Sequence, residues 1–156
     1  MNTDVSEALD RAGISYAVKK HAEPALTCVS AAQQRGVRVS QIVKCMVGES
    51  GDNQLVVMLI PGDRTLKASK ARKWIKAARL NLVDPARLAH ELGLTVGAIS
   101  PVQLLDRAVI LMDPSVLEEE IVDISSGDPL AGIELKSADL RAYLGAELVE
   151  MISKNT

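Results

Sequence analysis

Hydrophobic and polar positions divide the chain into short alternating segments. Residues 14–20 ("ISYAVKK"), 41–48 ("QIVKCMVG"), 53–60 ("NQLVVMLI") and 80–83 ("LNLV") read as strands in the first half, and 107–113, 119–125 and 132–136 in the second. The unbroken apolar run at 55–60 suits a strand buried on both faces. With "ESGD" between them, the second and third strands predict a hairpin whose loop is longer than a two-residue turn. Capping signals mark helices between the strands. Asp4, with Glu7 three residues on, opens a helix ended by Gly13; Ser30 and Gln33 are spaced as a capping box for a helix ended by Gly36. Asp84 and Pro85 supply the cap and first residue of a helix closed by Gly93, and a last helix is expected near residues 137–145. Residues 95–103 and 125–132 fit no regular element, combining Gly, Pro and Ser between apolar runs. Residues 146–152 fit either a helix or a strand. Strands and helices mixed without strict βαβ alternation predict an α+β fold over residues 1–156 as one domain, with a curled mixed or barrel-like sheet flanked by helices.

In the 41–47 segment, alternation puts Val43, Cys45 and Val47 on one face and Ile42, Lys44 and Met46 on the other. Lys44 thus shares a strand face with two apolar residues. Two explanations are open: an edge or snorkelling lysine whose stem covers apolar surface, or a cation aimed into a cleft. Residues 67–79 carry six basic and no acidic side chains. At about 100° per residue, Ala68, Ala71, Trp74, Ile75 and Ala78 gather on one side, opposite all the basic residues except Lys67. A solvated outer face explains this pattern, and so does contact with a polyanion through Lys70, Lys73 and Lys76.

Composition narrows the chemistry. A length of 156 residues suffices for one domain with a substantial core, and the absence of Phe makes that core aliphatic. The net charge of -2 argues against general coating of nucleic acid. No apolar run approaches a membrane span, and neither a signal-like opening nor a disulfide framework is evident, so a reducing cytoplasm is the expected setting. His21 and His90 have no partners at metal or triad spacing, and neither a phosphate-binding loop nor a dinucleotide fingerprint occurs. No metal or organic cofactor is expected. Cys45, on the face opposite Lys44, is expected to be an inert packing thiol; Cys28 beside Thr27 lies next to a predicted helix start.

Four features in order resemble the YbaK family, also called the prolyl-tRNA synthetase-associated or editing domain family, of aminoacyl-tRNA deacylases. They are the strand lysine in "VKCMV", the "VGAISP" loop with Gly97 and Pro101, the "ILMDPSVL" segment with Asp113, and "SSGDPLAGIELKSADL". The likeness runs over nearly the whole chain. It implies hydrolysis of the ester joining a wrong, small amino acid (alanine, cysteine or serine class) to the end of a tRNA, with water or a substrate group as attacking group. It makes Lys44 the candidate catalytic residue and the 97–101 loop, including Ala98 and Ser100, the candidate substrate-binding loop. Ser126 and Gly127 are expected on the other side of the cleft, with Thr27 and His21 as further pocket candidates. Mischarged tRNA is the implied partner, with a synthetase as a further one. The chain departs from the family pattern at Lys67, where many members are acidic, at Gly132, where some have Asp, at His21, where an aromatic is usual, and at Val102 and Gln103. Those departures keep a second reading open, a non-catalytic module binding an aminoacyl-adenosine or regulating a partner.

Overall fold

The computed structural model describes residues 2–154, in which eight strands and five α-helices are found. The strands form two sheets. Strands β1 (Tyr16–Lys20), β7 (Ala131–Lys136) and β6 (Ile121–Ser125) form an antiparallel sheet in the order β1-β7-β6. Strands β2 (Val43–Ser50), β3 (Leu55–Pro61), β4 (Leu80–Leu82), β5 (Ala108–Met112) and β8 (Glu147–Leu148) form the other, ordered β4-β2-β3-β5-β8. The β2-β3 hairpin is antiparallel, whereas β3-β5 and β5-β8 are parallel. The helices are α1 (Asp4–Arg11), α2 (Cys28–Arg35), α3 (Ala68–Ile75), α4 (Pro85–Leu92) and α5 (Ser137–Leu144). No helix among the described residues is long and apolar enough to cross a membrane.

The expected α+β class is correct, and the physical reason is legible in two cores. Val43, Val47, Val57, Leu59, Ile110 and Met112 of the larger sheet meet Val122, Ile124, Ile133 and Leu135 of the smaller one, so the inner faces of the two sheets share one cluster. Val56, Met58, Ile60 and Leu111 lie on the opposite face of the larger sheet and are covered by Ala71 of α3 together with Val149 and Met151. Strand β3 therefore needs apolar residues at successive positions, as its sequence supplies. The ambiguous 146–152 segment resolves into β8 and an isolated bridge from Ile152 to Leu66.

Three local expectations need correction. Thr3, not Asp4, caps α1, and Thr27, not Ser30, caps α2; in each case the third helical residue is a serine that answers the cap. Ser6 and Ser30 accept from the cap backbone N–H, doing the work usually given to Glu or Gln in a capping box. The basic helix is also shorter than residues 67–79. It stops at Ile75 because Lys76 adopts a left-handed conformation (φ 59°), which ends the helical ladder before Ala78 can join the apolar side. Trp74 is accordingly 45% exposed rather than packed. By contrast, α4 is capped as its sequence indicates, with Asp84 Oδ1 accepting from Ala86 N–H at 2.9 Å and Gly93 closing the helix.

Asp113, the acid of the "ILMDPSVL" segment, is a joint of the fold. It is 2% exposed, accepts from the backbone and hydroxyl of Ser115, and accepts from Met151 N–H at 2.7 Å. The carboxylate thus ties the end of β5 to the C-terminal segment. Replacing it leaves buried donors unsatisfied. Asp113→Ala is expected to lower unfolding free energy by about 3 kcal/mol, measured by urea or thermal denaturation.

Candidate functional site

The site grows from the edge of β2. At its start, Ile42 forms a parallel bridge with Asp123, which joins the two sheets; at its end, Gly48–Ser50 pair with β4. Between those contacts the sheets splay apart. Gly62 N–H donates to Ile42 O at 2.7 Å on the β3 side, and Val83 N–H donates to Val47 O at 2.9 Å on the β4 side. Strand alternation therefore turns the main-chain N–H and C=O of Cys45 toward the splayed edge. A cleft of about 630 Å³ lies there, with Thr27, Arg35, Lys44, Asp84, Gly97 and Ser125 among its walls.

Packing assigns the two faces of β2. Val43, Cys45 and Val47 join the core between the sheets, while Ile42 packs under α2 and Met46 against the α3 cluster. Lys44 occupies the gap between those outer clusters, lines the cleft, and donates from Nζ to Arg64 O at 2.8 Å. That bond engages one of the three protons of the ammonium. Burial pushes the Cys45 thiol up to about 12, which fits the packing role expected for it. Burial also pushes the Cys28 thiol up, opposed by the charges of Lys44 and Arg35. Both thiols therefore stay protonated near neutral pH, the opposite of what a thiolate-based reaction needs.

The two segments without regular structure meet. Gly127 N–H donates to Ala98 O at 3.0 Å, so the 95–99 turn and the loop after β6 form one wall. Gly97, at φ +83°, adopts a backbone conformation that favours glycine and stands close to Leu26 at the rim. Leu26 is 78% exposed there. The remaining loop residues are built inward. Ser100 is buried, accepts from Val102 N–H and caps a short 3-10 turn that begins at Pro101. Ser126 is 1% exposed and donates to Ala131 O at 2.7 Å, so its hydroxyl is spent on the turn; the preceding Ser125 lines the cleft instead. Gly127 abuts Asp4 and Gln103. Thr27 reaches the cleft as the cap of α2, whereas His21 lies outside its walls with Nδ1 against Glu23 O at 2.6 Å. Of the basic-helix candidates, Lys70 donates to Ile152 O, while Lys73 and Lys76 are exposed.

Arg35 and Ser125 were missed by sequence reasoning. Ser125 had a signal, since strand parity in β6 separates it from the inward Ile124; Arg35 had none, because its role depends on a strand far along the chain.

Comparison with known proteins gives the family. The sequence model described as "Aminoacyl-tRNA editing domain" matches residues 22–143, and the chain belongs to that family. It is 27% identical over 145 residues to the Multifunctional Ser/Thr-tRNA deacylase ProXp-y of Escherichia coli (strain K12), covering 90% of this chain and 86% of that protein. A proline–tRNA ligase of Thermosipho melanesiensis is 26% identical over 90 residues, 58% of this chain and 16% of the ligase. Among solved structures, a candidate trans-editing enzyme for prolyl tRNA synthetase superposes with a TM-score of 0.84 at 25% identity, covering 96% of this chain and 94% of that one. The hypothetical protein APE2540 shares the fold with a TM-score of 0.89 at 23% identity, covering 97% and 100%.

Behind the cleft, Asp123 is fully buried and its carboxyl is raised from 3.8 to about 6, first by burial and further by Glu134, against the pull of Arg35 and Lys19. The unfolded carboxylate ionises near its ordinary value, so protonation of Asp123 favours the native state. That contribution is fully present below about pH 3.8 and is lost as pH rises through about 6. Arg35 on α2, Glu134 on β7 and Lys19 on β1 are the charges facing it. Unfolding free energy measured between pH 4 and 6.5 should contain a falling component on the order of 2 kcal/mol that disappears in Asp123→Asn.

Proposed function

We propose that the protein is a trans-acting aminoacyl-tRNA deacylase that hydrolyses the ester of tRNA mischarged with a small amino acid. The single observation that carries this reading is the placement of Lys44 and the 97–99 turn on one cleft at the splayed edge of β2. Membership of the editing-domain family and likeness to a relative named as a Ser/Thr-tRNA deacylase support it.

In this reading the aminoacyl end of the tRNA enters over the apolar rim at Leu26, and the ester carbonyl lies between β2 and the 97–99 turn. Water adds to the carbonyl carbon; the ester bond then breaks, and the ribose oxygen leaves with a proton, freeing the amino acid. Negative charge builds on the carbonyl oxygen during attack. Preorganised donors facing that position stabilise it more than they stabilise the ground state, because they need not reorient. The Lys44 ammonium, the Cys45 main-chain N–H at the strand edge and the backbone of Gly97 are the groups available. Water acts as nucleophile, so no serine or cysteine needs activation. Ala98, Ser100, Pro101, Ser126 and Gly127 then shape the turn that positions Gly97, and Thr27 contributes to the opposite wall. Mischarged tRNA is the partner, with Lys73 and Lys76 presented to its backbone.

Lys44→Ala, and Lys44→Met to retain the stem, should reduce release of amino acid from a sensitive tRNA about 10²- to 10³-fold with little change in melting temperature. A panel of tRNAs charged with alanine, cysteine, serine and proline supplies the substrates. Wild-type rates unchanged in the folded variants would remove Lys44 from the reaction, and failure of the wild type to hydrolyse any of the panel would leave a binding module.

A further inference from the structure

Gly132 pairs in β7 with Lys19 of β1 and Ser125 of β6. A Cβ built on it would collide with Nε and Cζ of Arg35. The glycine is therefore the seat of a guanidinium that reaches from the last residue of α2 onto the outer face of the smaller sheet. That face carries a row of charges. Lys19 Nζ is 3.2 Å from Glu134, Glu134 pairs across the strands with Asp123, and Arg35 is the leading opposite charge on Asp123. Asp123 is 0% exposed and, among the described residues, neither carboxylate oxygen has a hydrogen-bond partner; Arg35 Nε is buried and likewise without one among them. Of these four charged residues, Arg35 is the one that lines the cleft, together with Ser125.

We propose that Arg35, seated over Gly132, reads the side chain of the aminoacyl group and selects side chains that carry a hydroxyl. This rests on the deacylase reading above. The chemistry of the wall discriminates among small amino acids. An alkyl side chain offers a partly desolvated guanidinium no acceptor, and a thiol offers only a weak one. A carboxylate would bring a second negative charge toward Asp123, and an ammonium would oppose Arg35 and Lys44. A hydroxyl is neutral, accepts from the guanidinium and can donate to Ser125 Oγ on the same wall.

The test compares hydrolysis of one tRNA body charged with serine, threonine or alanine by wild type, Arg35→Met, Arg35→Lys, Gly132→Ala and the double variant Arg35→Met/Asp123→Asn. The double variant removes the buried carboxylate that a lone Arg35→Met would leave uncompensated. The seryl-to-alanyl rate ratio should fall about 10- to 100-fold in Arg35→Met and in the double variant. It should also fall in Gly132→Ala, which retains the charge but displaces it, and recover in part in Arg35→Lys. A ratio within about threefold of wild type in the folded double variant, at the discrimination scale expected for a lost charged hydrogen bond, would overturn the assignment while leaving the deacylase intact. Binding of the non-hydrolysable amides seryl- and alanyl-3′-amino-3′-deoxyadenosine to the full chain separates the two ideas. If wild type hydrolyses none of the tRNAs but prefers the seryl amide in an Arg35-dependent way, the deacylase reading fails and the role of Arg35 stands. With neither hydrolysis nor preference, both fall.

Discussion

The backbone of β2 cannot be satisfied by one neighbour along its whole outer edge, and the site depends on that constraint. Its start is bridged to Asp123 of one sheet and its end is paired to β4 of the other. Both contacts pull on the same strand from different layers, so the edge between them opens. Buried main-chain groups ordinarily find partners, and a strand edge within a cleft is a standing set of donors and acceptors for whatever enters it. The hairpin with β3 keeps this edge rigid. Pairing from Val43 to Glu49 fixes the register, and β3 is buried on both faces. Preorganisation at the edge thus follows from the core behind it.

That register also fixes the lysine. A one-residue slip would turn the Lys44 side chain to the face now packed by Val43, Cys45 and Val47 and drive an ammonium into the core between the sheets. Val43 and Val47 hold the strand against such a slip from one side, and Ile42 and Met46 from the other. The lysine stem lines the cleft, and its ammonium donates to the backbone of Arg64.

Much of this was legible in the sequence because it is encoded by near neighbours. Alternation in "QIVKCMV" placed Lys44 and Cys45 on opposite faces, and Asp84, Pro85 and Gly93 marked α4 at both ends. The order of four motifs along the chain carried the resemblance to the editing-domain family, which the match over residues 22–143 bears out. Less legible features had unusual chemistry or distant causes. Thr-x-x-Ser performs the capping that Thr-x-x-Glu would announce, and α3 ends on a left-handed lysine where glycine is the usual signal. Ser126 looks like a wall residue in "SSGDP" until Ala131 O is seen to take its hydroxyl, at which point Ser125 becomes the exposed member of the pair.

The departures from the family pattern have unequal physical weight. Lys67 precedes α3 with no side-chain capping bond, and its backbone N–H, available in any residue but proline, ties it to Met151 O at 2.6 Å. A change of side-chain charge there leaves that tie unaltered. Gly132 differs in kind, because any side chain would occupy the volume now filled by Arg35. An acid at that position and an arginine at 35 would be alternative ways of placing charge on one patch of the smaller sheet. Here the patch already holds Glu134 and a fully buried Asp123, and a third carboxylate would increase their repulsion. A guanidinium entering from α2 instead supplies the opposite charge, and the glycine gives it room.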